Sequence, residues 1–309
     1  MSEPKGLVPA PRAHRVGLVR WRRVIAFYGL TLTLTMAATA GWTATGGTLR
    51  GTTGTLVLNL CMLLPGLVAL ALQRWAFREP VGVAFAVRRP SVSWLIVAWL
   101  LAAGIMLLAL GVGVLMPGAS FSSNMEGLAR LGMSFEQVAA MRDKLPASSV
   151  GAVLVVLLQG LFLGPTLLLV GALGEELGWR GLLHRELAPL GPSPRSVLTG
   201  LLWGVWHLPA AFQGYAYPQH PVLGSLALLG LTQVLALLYA WLRERSGSIF
   251  VPAVFHGTCS GTSLVAIAFV SGGDELLTGF TGVAGALSAA AGCSIAWFGA
   301  ERSTRRSRP

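Results

Sequence analysis

Charged residues are scarce in this sequence of 309 residues. Asp, Glu, Lys and Arg make up 11% of it, against roughly a quarter of a typical soluble domain. Hydrophobic residues make up 54%, and the mean hydropathy is +0.67. Apolar runs of about 20 residues, the length of a membrane-spanning helix, recur along most of the chain. The composition therefore excludes a soluble globular domain and predicts an integral membrane protein.

Cysteine is also scarce, and the three cysteines exclude a disulfide-stapled secreted protein. Cys61, Cys259 and Cys293 all lie within apolar runs and lack the spacing of a metal site, which is typical of small buried hydrophobic residues. The His-Glu-x-x-His motif of membrane zinc proteases is missing. A rhomboid-like Gly-x-Ser-Gly motif is missing as well, because Thr258 stands where the first glycine belongs.

Basic residues outnumber acidic ones, giving a net charge of +11, but they fall in clusters between the apolar runs. This arrangement indicates membrane topology and gives no support to nucleic-acid binding. With the N-terminus in the cytoplasm, 19 of the 23 Lys and Arg are cytoplasmic or lie at that membrane face, all but Arg50, Arg130, Arg142 and Lys144. The positive-inside rule therefore predicts a plasma-membrane protein with both termini in the cytoplasm.

The apolar runs predict an all-α, polytopic membrane helix bundle with about eight transmembrane helices. The predicted spans are residues 24–45, 54–73, 92–116, 150–186, 197–212, 222–242, 249–270 and 277–298. The fourth is interrupted at Gly164-Pro165, where we expect a helix to restart. Ala38-Thr39-Ala40 after a basic start resembles a cleavable signal. We expect a retained span, because the apolar run is longer than a usual signal core.

Two adjacent carboxylates occur in the stretch Gly174-Glu175-Glu176-Leu177-Gly178-Trp179-Arg180-Gly181 of the fourth span. On a helix, Glu176 and Arg180 are four residues apart with the acid first, the favourable order for an ion pair. Glu175 points about 100° away and is left free by that arginine. An ionisable residue at mid-membrane depth is functional by default, so we predict a working role for Glu175. A salt-bridge cluster that only anchors the helix end is the alternative.

Two of the five histidines lie well inside predicted spans, whereas His184 lies at the end of the fourth. His207 occurs in Trp203-Gly204-Val205-Trp206-His207-Leu208-Pro209, and His256 in Phe255-His256-Gly257-Thr258-Cys259-Ser260. A rise of 1.5 Å per residue places Glu175 and His207 about 16 Å, and His256 about 12 Å, from the predicted cytoplasmic helix ends. One carboxylate and two imidazoles at a shared depth predict an acid–base site within the membrane.

These motifs together resemble the CPBP family of intramembrane proteases, also called the ABI family, over roughly residues 165–265. That family groups CAAX prenyl endopeptidases with bacteriocin-processing and self-immunity proteins. The resemblance implies that Glu175 and His207 activate a water molecule, that His256 helps to stabilise the oxyanion, and that Glu176 and Arg180 shape the site. Trp203 stands where the family usually has phenylalanine. Ser260 stands where it usually has asparagine, so the oxyanion donor would be a hydroxyl on a shorter arm.

The function expected from this resemblance is an intramembrane endopeptidase of the CAAX-protease-like type, with a membrane-associated or lipidated peptide as substrate. Its other expected partners are membrane lipids, with no nucleic acid. A non-catalytic immunity or scaffold protein and a proton-coupled transporter remain alternatives. The domain order is then a basic tail (1–23), N-terminal transmembrane helices (24–148) with an external loop (118–148), a CPBP-like catalytic core (150–270), a last transmembrane helix (277–298) and a second basic tail (299–309).

Zinc is an open alternative for the cofactor. Glu175, His207 and His256 supply enough ligands for a catalytic zinc ion with water in the fourth position. No two of them lie four residues apart on one helix, the spacing that places two zinc ligands side by side. A carboxylate and an imidazole are enough to deprotonate water, so the metal-free mechanism is favoured. The sequence leaves the substrate's identity and the oligomeric state open.

The predicted topology can be tested by cysteine labelling in intact cells. A cysteine introduced at Ser91 or Ser246 should resist a membrane-impermeant thiol reagent, because both positions are predicted to be cytoplasmic. A cysteine at Ser122, in the predicted external loop, should react. The opposite pattern of labelling would contradict the orientation.

Overall fold

The computed structural model describes residues 17–306, with the backbone alone at positions 83, 84 and 298–306. Within that range the chain is a bundle of helices with two very short strands. The predicted all-α, polytopic membrane bundle is confirmed. Residues 1–16 and 307–309 of the predicted basic tails lie outside the described residues.

The first part of the bundle contains five α-helices. They are α1 (Trp21–Ala44), α2 (Gly51–Cys61), α3 (Leu64–Ala71), α4 (Val81–Ala84) and α5 (Val92–Val114). A π-helical stretch, Leu72–Ala76, extends α3. The connection to the second part carries strand β1 (Ala119–Phe121), a 3₁₀ helix (Glu126–Leu131) and α6 (Phe135–Arg142).

The second part begins with α7 (Ser149–Leu163) and α8 (Leu169–Glu176), and α8 continues through a π-helix (Leu177–Leu183) into α9 (His184–Glu186). A 3₁₀ turn (Ala188–Leu190) leads to the remaining elements. These are α10 (Pro192–Ala211), α11 (Pro221–Ser246), α12 (Phe250–Ala268), β2 (Val270–Gly272) and α13 (Val283–Arg306).

Five helical stretches in the described range are long and apolar enough to cross a membrane. They are Trp21–Ala44, Gly51–Ala76, Val92–Val114, Pro221–Ser246 and Phe250–Ala268. Many large apolar side chains on the helix surfaces are exposed, which suits contact with lipid and not with water. The chain is therefore an integral membrane protein, and the number of eight crossings stays a prediction.

The fourth predicted span is broken near its middle. The backbone leaves the α-helix after Leu163, and the N–H groups of Thr166 and Leu168 both donate to the carbonyl of Leu163. Because this turn consumes residues 164–168, α8 restarts at Leu169 instead of near Pro165. Irregular backbone at membrane depth often occurs beside membrane-embedded binding sites.

Glycines bring the backbones of α7 and α12 into close contact. A Cβ atom added at Gly160 would lie 2.4 Å from the carbonyl oxygen of Gly261, and one added at Gly257 would lie 2.3 Å from that of Gly164. Each helix thus contributes two glycines four residues apart, the spacing by which membrane helices pack closely. This contact fixes α12, which carries His256, against the broken segment that carries the two glutamates.

Ion pairs join three elements at one end of the bundle. Glu186, whose side chain is fully buried, accepts hydrogen bonds from Arg20 at 2.6 and 2.7 Å and from Arg185 at 3.0 Å. Glu79 accepts from Arg23 at 2.8 Å and also pairs with Arg185. Burial alone would raise the pKa of Glu79, but hydrogen bonds from Arg23 and Arg185 outweigh it and lower that pKa to about 2. The cluster fastens the start of α1 to the end of the segment that carries the glutamates.

The end of the bundle opposite these ion pairs carries a small sheet that the sequence did not predict. Strands β1 and β2 pair antiparallel, with Ser120 opposite Ser271. Arg130 donates hydrogen bonds to Thr278 and to the carbonyls of Gly272 and Gly273. The helix that follows starts at Val283, later than the predicted 277, because turns occupy the residues between β2 and α13.

The glycine contact predicts a site-specific loss of stability. Gly160→Ala should lower the free energy of unfolding by about 1–3 kcal/mol, because the new methyl group meets a backbone carbonyl that cannot move aside. Gly230→Ala in α11 is the matched control, since no atom lies within 4 Å of a Cβ added there. Thermal unfolding in detergent compares the two variants. Equal midpoints would contradict the contact.

Candidate active site

Five of the six predicted site residues lie together in the bundle. Glu175 and Glu176 end α8, Arg180 lies in the π-helix, His207 lies near the end of α10, and His256 lies in α12. Both glutamates and the arginine are at most 2% exposed, and His207 is half-buried. Four charged or titratable groups from the broken span and α12 therefore meet beside His207, inside an otherwise apolar structure.

Close backbone packing positions the two glutamates. A Cβ added at Gly174 would lie 2.7 Å from the carbonyl oxygen of Met62, and one added at Gly178 would lie 2.6 Å from the Cβ of Pro65. The end of α8 therefore lies directly against the junction of α2 and α3. Immediately after Glu176 the helix widens into its π-helical stretch, a form that often occurs at functional sites.

Glu176 links α8 to α12 through a single oxygen atom. Its Oε1 accepts a hydrogen bond from Nη1 of Arg180 at 3.1 Å and another from Nδ1 of His256 at 2.9 Å. The first is the ion pair expected from the sequence, whereas the bond to His256 was not foreseen. Since an ionised carboxylate can only accept, Nδ1 of His256 carries a proton. Nε2 of the same ring faces Glu175, 4.0 Å from its Oε1.

Arg180 is enclosed by aromatic rings. Its guanidinium carbon lies 4.5 Å from the ring centre of Trp203 and 4.2 Å from that of Tyr239. Cation–π contacts of this kind are strongest away from water, and Arg180 is 1% exposed. Nη2 of Arg180 and Oε2 of Glu176 have no hydrogen-bond partner among the described residues. The pair is thus held by Coulomb attraction, one direct bond and the two rings.

Glu175 has a different partner from its neighbour. Its Oε2 accepts a hydrogen bond from the indole Nε1 of Trp203 at 2.7 Å. Its Oε1 accepts none from the described residues. The carboxylate is therefore fixed through one oxygen, while the other faces the imidazole of His256.

His207 has one nitrogen committed and one available. Its Nδ1 lies 2.8 Å from the backbone carbonyl of Trp203, which can only accept a hydrogen bond. The proton is therefore assigned to Nδ1, and Nε2 carries the free lone pair. The rings of Trp203 and Trp206 pack edge-on against the imidazole, with centroids 5.4 and 4.8 Å away.

Ser260 is the predicted site residue that stands apart. It is exposed, one helical turn beyond His256, and within residues 17–306 no hydrogen bond joins its hydroxyl to the other five. Trp203 and Tyr239, by contrast, belong to the cluster although the sequence did not assign them a role. Trp203 could have been found from its place four residues before His207. Tyr239 carries no such signal, because it is one residue in a long apolar helix.

Among the described residues the structure contains no preformed zinc site. No three His, Cys, Asp or Glu side chains in the described part of the chain converge closely enough to hold a metal ion. Glu175, His207 and His256, the ligands that the sequence allowed, do not close into such a set.

Comparison with known proteins places the site in a matched segment. Residues 157–262 match the family described as type II CAAX prenyl endopeptidase Rce1-like. CAAX prenyl protease 2 of Methanococcus maripaludis is 34% identical over 98 residues, which are 29% of this chain and 35% of that protein. The chain thus spans about a third of the length of the curated relative that it matches. The resemblance expected from the motifs is confirmed, and the matched segment contains all six predicted site residues.

The ion pair of the site predicts non-additive stability. Removing either Glu176 or Arg180 leaves a buried charge without its partner and should cost about 3–5 kcal/mol. Removing both should cost less than the sum, with a coupling of about 0.5–3 kcal/mol. The cycle uses thermal unfolding of Glu176→Gln, Arg180→Met and the double variant. Strict additivity would show that the pair contributes nothing.

Proposed function

We propose that this chain is an intramembrane endopeptidase that hydrolyses a peptide bond of a membrane-associated or lipidated substrate. The observation that carries the proposal is the arrangement around Glu175. One of its oxygens is fixed by the protein, while the other is unbonded among the described residues and faces an imidazole. A buried carboxylate with a free oxygen beside two histidines is suited to removing a proton from water.

These positions support the following reaction. Oε1 of Glu175 takes a proton from a water molecule, and the water oxygen bonds to the peptide carbonyl carbon. His207 offers its free Nε2 as a second acceptor that orients the same water. When the tetrahedral intermediate collapses, the C–N bond breaks and the proton on Glu175 passes to the departing amine. No step in this sequence requires a metal ion.

His256 is suited to stabilise the negative charge on the carbonyl oxygen. Its Nδ1 is held by Glu176, so its ring cannot turn, and Nε2 points to the side where Glu175 lies. A protonated Nε2 would donate a hydrogen bond to the oxyanion in a site sheltered from water. Glu176 and Arg180 act through His256.

The substrate class rests on the matched names. The matched family and the Methanococcus maripaludis protein are both named for CAAX prenyl substrates. A peptide with a prenylated cysteine is therefore the first substrate to try, and other membrane-associated peptides follow. In this proposal, residues 150–270 are the catalytic core, and the chain lies in the plasma membrane with cytoplasmic termini.

Loss of the central groups should abolish cleavage. Glu175→Gln or His207→Ala should lower the rate at least about 100-fold, since each removes a positioned proton acceptor. The assay uses purified protein in liposomes with an internally quenched peptide whose farnesylated cysteine stands three residues before the C-terminus. Comparing the termini of membrane proteins in cells with and without active protein covers unprenylated substrates.

Glu136→Gln is the matched control, because it removes an exposed carboxylate on α6 and should leave the rate unchanged. Cleavage by Glu175→Gln at the parent's rate would refute the proposal. So would a parent protein that cleaves neither the peptide nor any cellular substrate, which would favour the immunity or transport alternatives.

A further inference from the structure

Trp203 contacts four of the five predicted site residues that lie together. The indole Nε1 of Trp203 donates to Glu175, its backbone carbonyl accepts from Nδ1 of His207, and its ring face covers the guanidinium of Arg180. Its ring also packs edge-on against His256, with centroids 6.0 Å apart. Trp203 itself is 3% exposed, so water does not compete for its N–H group.

Two features of this side chain, the indole N–H group and the larger fused ring, distinguish Trp203 from phenylalanine at this point. The ring contacts with Arg180, His207 and His256 need an aromatic face or edge, which phenylalanine also has. The backbone bond to His207 needs no particular side chain. The bond to Oε2 of Glu175, at 2.7 Å, needs a donor on the ring. Deleting that donor would leave a buried carboxylate oxygen without a partner.

We propose that Trp203 is a positioning residue whose hydrogen bond to Oε2 turns the Glu175 carboxylate so that Oε1, and not Oε2, takes the proton from water. This inference rests on the proposed function, in which Glu175 is the general base. A hydrogen bond donated to a carboxylate favours its charged form. It also removes one of the two oxygens from competition for the water molecule. Trp203 thereby sets the orientation of the base without touching the substrate.

Several other titratable or charged groups face the Glu175 carboxylate and are chemically unchanged by Trp203→Phe. Those from neighbouring elements are His207 on α10, Tyr215 after α10, Tyr239 on α11 and His256 on α12. Glu176 and Arg180 lie on its own helical segment. Because Trp203→Phe preserves all of these groups, a change in the titration of Glu175 would report the missing N–H group.

Infrared spectroscopy can follow the protonation of Glu175 directly. The C=O stretch of the protonated side chain is assigned as the band that is absent from Glu175→Gln. In Trp203→Phe this band should appear at a pH about one to two units higher than in the parent, as expected for losing a hydrogen bond to a charged group. At neutral pH, kcat on the farnesylated peptide should fall about 10-fold with KM unchanged, and it should recover as the pH is raised.

Trp206→Phe is the matched control. Trp206 lies on the same helix and donates its buried indole N–H to Oγ1 of Thr35 at 2.8 Å, so this variant loses the same group to a neutral acceptor. It should leave the midpoint of the Glu175 band unchanged. If Trp203→Phe does not fold, benzothienylalanine at position 203 keeps the shape of the fused ring and lacks only the N–H group.

The outcomes separate this inference from the proposed function. A Glu175 band that titrates at the parent's pH in Trp203→Phe or in the benzothienylalanine variant would overturn the role of Trp203. An equal shift in Trp206→Phe would overturn it too, because the effect would then not depend on the bond to Glu175. Unimpaired cleavage by Glu175→Gln would instead refute the proposed function, whatever the band does.

Discussion

The site depends on the hydrogen bonds that the carboxylate of Glu176 accepts. Its Oε1 accepts hydrogen bonds from Arg180 on its own helical segment and from His256 on α12. In an apolar bundle neither charge could be buried alone, so the pair must form for the segment to fold. Once it has formed, it fixes the ring of His256 and sets Nε2 towards Glu175. The same carboxylate that neutralises the buried Arg180 thus also orients His256 in the proposed active site.

Two adjacent glutamates consequently have different tasks. Glu176 accepts hydrogen bonds from a guanidinium and an imidazole, whereas the one hydrogen bond that Glu175 accepts from the described side chains comes from the indole of Trp203. This division follows from the helix, because consecutive side chains point in directions about 100° apart. Two acids with one base between them leave one carboxylate uncommitted. The proposed chemistry uses that carboxylate.

The backbone makes the cluster possible. The break after Leu163 and the glycine contact between α7 and α12 allow the chain to bring Glu175 and Glu176 within side-chain reach of His256. At the other side, Gly174 and Gly178 let the same segment lie against Met62 and Pro65. Small residues serve this purpose in membranes because packing, and not exclusion of water, drives helices together there. The site is therefore held from both sides by backbone contacts.

The sequence by itself determined the membrane class, the approximate helices and the ion pair between Glu176 and Arg180. Composition, apolar length and a spacing of four residues are local properties, and physical chemistry interprets them without a fold. The break was predicted from Gly164-Pro165, but its extent to 168 depended on how the turn closes on Leu163. Only the tertiary structure decided that His256 binds Glu176, that Trp203 and Tyr239 enclose Arg180, and that Ser260 stays apart. These contacts join residues on separate helices, and the rotation of each helix about its axis is set by packing against its neighbours, which no single segment encodes.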